Sequence, residues 1–205
     1  VTVTDQKGNQ VEVTENADGT WSFTQPAGQV RISVTFVCDG QTERCPAHGF
    51  TDVDTGAWYH LAVDYAIEKG LMNGVGDNLF DPHGTATRAQ IVTILWRLEG
   101  EPVVNYLMDF EDVQEGSWYA EAVRWAASQG IVDGYDNGGF GPADPVTREQ
   151  LAAILYRYAV HKGYDTTQGG MAVREFDDFA AVPAYALEAA GWAVNAGILR
   201  GAGNR

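Results

Sequence analysis

The chain's 205 residues include 28 Asp and Glu against 13 Lys and Arg, a formal net charge of −15, with 45% hydrophobic residues. Such a composition supports a folded core in one domain or two smaller ones. The charge argues against nucleic acid, whose phosphates need clustered cations, and against anionic membrane surfaces. No run approaches the roughly 18 apolar residues of a membrane span, so neither nucleic-acid binding nor membrane insertion is expected. The start shows no initiator Met and no leader-like region, as in a mature segment or an internal fragment.

Residues 1–37 are written in period two. Val1 and Val3, Val11 and Val13, Trp21 and Phe23, then Val30, Ile32, Val34 and Phe36 alternate with polar residues, and Gly- and Asn-containing triplets supply turns. This predicts a small N-terminal antiparallel β segment of about four strands. Residues 38–49 read as a linker holding Cys38 and Cys45. The pair closes a short loop compatible with a disulfide; free thiols and a metal site with His48 are the other readings, the last short of the four ligands zinc prefers.

From Phe50 the period becomes helical, and the chain aligns with itself at an offset of 60 without a gap. Phe50-Thr-Asp52-Val53 matches Phe110-Glu-Asp112-Val113, Trp58-Tyr59 matches Trp118-Tyr119, Gly70 and Gly74 match Gly130 and Gly134, and Thr87-Arg88-Ala-Gln90 matches Thr147-Arg148-Glu-Gln150. A third copy opens at Phe176-Asp-Asp178 and runs at an offset of 67, with Tyr185 in the tryptophan's place; no third Thr-Arg-x-Gln follows before Arg205. The organisation expected is thus repeat 1 over 50–109, repeat 2 over 110–175 and a truncated repeat 3 over 176–205, each written helix, Gly-rich loop, helix.

The first helix of repeat 1, near Trp58 to Lys69, places Ala62, Tyr65, Ala66 and Lys69 on one stripe, and Gly70 sits where a left-handed C-terminal cap belongs. Thr87 and Gln90 have the spacing of a capping box, as do Thr147 and Gln150. Arg88 and Arg148 are not needed by that cap and oppose the helix dipole. Two readings remain open for them: a guanidinium offered to a ligand carboxylate, or an internal salt bridge to Asp or Glu. Trp58 and Trp118 read either as core plugs or inter-repeat contacts, or as platforms for a sugar ring. Asp52 and Asp112 read as acceptors for sugar hydroxyls or as turn residues. The Gly74 and Gly134 loops lack the ligand spacing of an EF-hand, and the four histidines have no counterparts between copies. No catalytic motif stands out, so the chain is read as a non-enzyme with no cofactor and no metal.

Together these residues resemble the S-layer homology (SLH) family. Residues 1–37 are similar to the last strands of a β-repeat module found ahead of such repeats. The resemblance implies a mainly α fold of helix-loop-helix repeats packed into a pseudo-threefold bundle, incomplete here. It also implies an extracellular, wall-associated protein that binds secondary cell-wall polysaccharide, typically carrying a pyruvylated amino sugar, in grooves between repeats. Carried over, the ligand-binding residues are Asp52, Trp58, Gly74 and Arg88 in repeat 1 and Asp112, Trp118, Gly134 and Arg148 in repeat 2, with the boundary between these repeats as the expected working site. The alternative is a structural module of a surface lattice that self-associates through the incomplete third repeat.

Overall fold

The computed structural model describes residues 1–33, 38, 45–167 and 171–201; the expected strand residues Val34 and Phe36 lie outside them. Among the described residues five short strands form two antiparallel sheets. β1 (Thr2–Asp5) is central, between β2 (Gln10–Val11) and β5 (Val30–Ser33), while β3 (Val13–Glu15) pairs with β4 (Trp21–Phe23). The register sets Val3 opposite both Val11 and Ile32, and Val3 is fully buried. Period two was therefore read correctly, but the single sheet expected is divided. The second run breaks at Glu12, so Val11 and Val13 serve different partners. The β1–β2 turn is fixed by Asp5, whose carboxylate accepts from the N–H groups of Lys7 and Asn9 at 2.8 and 2.9 Å.

Five α-helices follow among the described residues: α1 (His60–Glu68), α2 (Arg88–Leu98), α3 (Ala120–Ser128), α4 (Arg148–His161) and α5 (Leu187–Asn195). Among the described residues no helix is long and apolar enough to cross a membrane. Both capping boxes close. Gln90 N–H donates to Thr87 Oγ1 at 3.3 Å and Thr87 N–H to Gln90 Oε1 at 2.8 Å, and the Thr147–Gln150 pair repeats both bonds. Gly70, Gly130 and Gly197 end α1, α3 and α5 with φ of 65°, 66° and 71°, a conformation that costs a β-carbon-bearing residue about 1 kcal/mol or more.

The principal packing runs between successive repeats. α2 lies against α3, and α4 against α5. At the first junction Val92 and Leu95 of α2 meet Ala122, Val123, Trp125 and Ala126 of α3, with Ile154 and Tyr158 of α4 closing the same core. At the second, Ala152, Ala153 and Ala159 of α4 meet Ala189, Trp192 and Ala193 of α5. The small residues let the helix backbones approach, and the tryptophan fills the space left beside them.

The stripe of Ala62, Tyr65, Ala66 and Lys69 on α1 is not its buried face. His60, Val63 and Asp64 are buried, whereas Ala62 and Tyr65 are exposed. The equivalent residues of α3, Ala122 and Trp125, are buried because α2 covers them. No described helix covers that face of α1. It packs through its opposite side, against the single-turn 3₁₀ helix Pro46–Gly49 and a small cluster of Cys45, Ala47 and Phe80.

Candidate functional site

Each repeat opens on a phenylalanine that rests on a loop glycine. A β-carbon on Gly74 would stand 2.5 Å from both Phe50 Cε1 and the Leu79 carbonyl oxygen. On Gly134 it would stand 2.5 Å from Phe110 Cε1, and on Gly201 2.7 Å from Phe176 Cε1. These are contacts no side chain can share, so Gly74 and Gly134 are fixed first by the fold. The acids two residues after Phe50 and Phe110 staple the same loop. Asp52 accepts from the N–H groups of Phe80 and Asp81 at 2.8 and 2.7 Å; Asp112 accepts from Phe140 and Gly141, both at 2.7 Å. The bond from Phe80, with that from Asp81, holds the Asp52 carboxyl below its ordinary range against a small opposing desolvation. The change from Asp81 to Gly141 has a conformational basis, since both are left-handed, with φ of 58° and 71°.

Among the described residues, neither Arg88 nor Arg148 forms the internal salt bridge to Asp or Glu that the sequence left open. They cross the repeat junction to backbone carbonyls. Arg88 Nε donates to Phe140 O at 2.8 Å and an η-nitrogen to Asp133 O at 3.0 Å, with the guanidinium 4.7 Å from the ring centres of both Tyr135 and Phe140. It is buried. Arg148 donates in the same way to the carbonyl of Arg200, the position 67 residues after Asp133, but is exposed. The self-comparison that pairs Arg88 with Arg148 thus also pairs their acceptors.

Trp118 is 60% exposed and Trp58 93%, each packed edge-on to the following tyrosine. Neither is a core plug. Trp118 of repeat 2 and the loop and α2 of repeat 1 enclose a recess of about 510 Å³, whose walls include Gly74, Asp81, Gln90 and Arg97. Arg97 donates to the Leu71 carbonyl at 3.0 Å, has Nε 3.9 Å from a Glu101 carboxylate oxygen, and stays partly open to solvent. It recurs as Arg157, which pairs with Asp133 at 2.8 Å; that recurrence was the sequence signal for it. Tyr185, in the tryptophan's place at the next junction, has its phenol pushed up by burial and by Glu149, with Arg88 and Arg157 close enough to oppose this.

A second recess, about 390 Å³, lies between α4 and the described part of repeat 3, with Arg148, Asp177, Asp178 and Arg200 on its walls. The eight residues expected to bind ligand therefore separate. Gly74 and Trp118 share the first recess, and Arg148 opens on the second. Arg88, Asp52, Asp112 and Gly134 hold the frame, and Trp58 stands free on the surface.

The chain is thus built of tandem helical repeats that carry an aromatic and a guanidinium at their junctions. Residues 49–92 and 109–152 each match the S-layer homology domain, so the chain carries this domain in tandem. It is 26% identical over 202 residues to the exoglucanase XynX of Acetivibrio thermocellus, covering 98% of this chain and 17% of that protein. It is 28% identical over 157 residues to the S-layer protein sap of Bacillus anthracis, covering 76% and 19%. A cell surface protein of Thermoanaerobacter kivui is 31% identical over 128 residues, or 60% and 17%. The chain spans less than a fifth of each of these relatives. S-layer homology domains are non-catalytic modules that anchor S-layer and cell-wall proteins at the cell surface, which places this chain outside the cell and at the wall.

Proposed function

We propose that the chain anchors its parent protein by binding an acidic wall polysaccharide, of the pyruvylated amino-sugar type, in the recesses between repeats. The observation that carries this is the first recess: an exposed indole face beside a partly open guanidinium, in a chain whose net charge of −15 repels anions elsewhere. A ketal carboxylate suits Arg97, and a sugar's C–H face suits Trp118. In this reading Arg148 is the cation of the second recess, while Arg88, Asp52, Asp112 and Gly134 serve the site by holding its walls. Residues 176–205 belong to a third repeat, and the repeats close pseudo-threefold, so that the open face of α1 receives a helix of the α2 and α4 kind.

Calorimetric titration with purified wall polysaccharide tests this, before and after mild-acid removal of the ketal. Arg97→Ala and Trp118→Ala are each expected to weaken binding about ten- to a hundred-fold with the fold retained. Undiminished binding in both variants, or by the deketalised polymer, would overturn it. One observation favours a second reading, self-association: Leu61 and Tyr65 lie exposed together on α1. Sedimentation velocity of the isolated chain separates the two readings, since a lattice module oligomerises without glycan.

A further inference from the structure

The cluster of Cys38, Cys45, His60 and Asp64 is not used by the recesses, and its side chains lie close enough together to hold a metal ion. One ligand atom from each residue lies within 4.8 Å of the other three. Cys45 Sγ is 3.3 Å from His60 Nε2 and 3.4 Å from Asp64 Oδ1, and His60 Nε2 is 3.4 Å from Asp64 Oδ2. Cys45, His60 and Asp64 are buried beside Val63 and Phe80, and Cys38 is half-buried. From these positions we propose that the four side chains form a structural zinc site.

The geometry fits. Tetrahedral zinc, at about 2.3 Å from sulfur and about 2.0–2.1 Å from nitrogen or oxygen, sets its ligands about 3.3–3.8 Å apart. The separations among Cys45, His60 and Asp64 fall at the near end of that range, and a small outward shift of Cys45 admits the ion. Two thiolates, an imidazole and a carboxylate are a donor set soft enough to select zinc over calcium or magnesium. Four protein ligands leave no open position, which makes the site structural rather than catalytic. Asp64 is already oriented for this: the Ala47 N–H holds Oδ1 at 3.0 Å and leaves Oδ2 toward His60.

The sequence supports the same conclusion independently. His60 and Asp64 are spaced i, i+4 on α1 and so share one face. At the equivalent positions α3 has Ala120 and Arg124, and α5 has Leu187 and Gly191. The helix departs from its repeat at the two positions that meet the cysteines. His48, the neighbour that the linker itself offered, is not in the cluster. Zinc here would clasp the segment leaving the β region onto the first turns of α1. Binding displaces the two thiol protons to solvent and involves no oxidation.

The test uses the whole chain, purified under reduction, stripped with chelator and reloaded with zinc. Gel filtration followed by elemental analysis should find one zinc per chain, and cobalt should give the intense visible bands of a tetrahedral thiolate site. Cys38→Ser, in a half-buried position outside any helix or strand, should keep the helical circular dichroism and lower zinc affinity at least about a hundred-fold. Asp64→Asn should weaken binding while keeping an acceptor for Ala47. A chain with both thiols free that retains no zinc overturns the proposal. So does a Cys38–Cys45 disulfide that forms in preference to metal when the reduced chain is offered zinc in air.

Discussion

Helices α1 and α3 hold the same place in successive repeats, yet α3 buries a face that α1 leaves exposed. Ala122, Trp125 and Ala126 are at most 3% exposed, while Tyr65, the counterpart of Trp125, is 53% exposed. Val63 and Val123 are buried in both. The difference lies in what each helix meets. α3 is pressed between α2 and its own loop, and α1 is held from one side by the cysteine segment. A repeat's sequence therefore specifies two contact faces, and its position in the array decides which of them is covered.

The sharpest way to break that comparison is to remove the paired aromatics. Trp125→Ala should lower stability by about 3–5 kcal/mol, since it empties the centre of the α2–α3–α4 core. Tyr65→Ala should change it by no more than about 0.5 kcal/mol. Denaturant unfolding of the two variants checks this, with Val63→Ala and Val123→Ala as a pair expected to cost similar amounts. A large loss from Tyr65→Ala would mean that α1 is covered in solution.

The arginines extend the comparison to the junctions. Arg88→Ala leaves the carbonyls of Phe140 and Asp133 without their donor and two rings without a cation, so a loss of about 2–4 kcal/mol is expected. Arg148→Ala, at an exposed residue, should cost less than about 1 kcal/mol while weakening glycan binding at the second recess. Equal destabilisation would show that the two junctions are equally sealed.

Much of this was legible from the sequence. The caps at Thr87 and Thr147, the left-handed Gly70 and Gly130 and the repeat register depend on neighbours within a few residues, where spacing alone carries the physics. The buried face of α1 was not legible, because it depends on whether another helix arrives. Nor was the use of Arg88: an inventory of charges looks for Asp or Glu partners, and the acceptors are backbone carbonyls 45 and 52 residues away. The Cys38–Cys45 segment was weighed with His48, its neighbour in sequence. His60 and Asp64, its neighbours in space, carried a signal only in their departure from the repeat.

A modest, pH-dependent effect concerns the tie that holds α4 to the end of α2, away from the α1 face altogether. The Glu99 carboxylate accepts from the Tyr158 hydroxyl and pairs with Lys162 at 2.9 Å. These partners, the hydroxyl first, hold its pKa below the ordinary 4.5. A carboxyl depressed in the folded state adds stability that is fully present above its unfolded pKa and is lost as pH falls through the folded one. As pH falls from about the unfolded value through the lower folded one, the chain should therefore lose a contribution of about 1 kcal/mol from this site, a size set by its closeness to solvent. Glu99→Gln should already lack that contribution at neutral pH and titrate with a shallower slope in the acid range. Because Glu99 lies on the α2–α4 side, the same change combined with Tyr65→Ala should be additive. A slope unchanged by Glu99→Gln would move the acid sensitivity to Asp52, whose depressed carboxyl staples the loop of repeat 1 and follows the same sign.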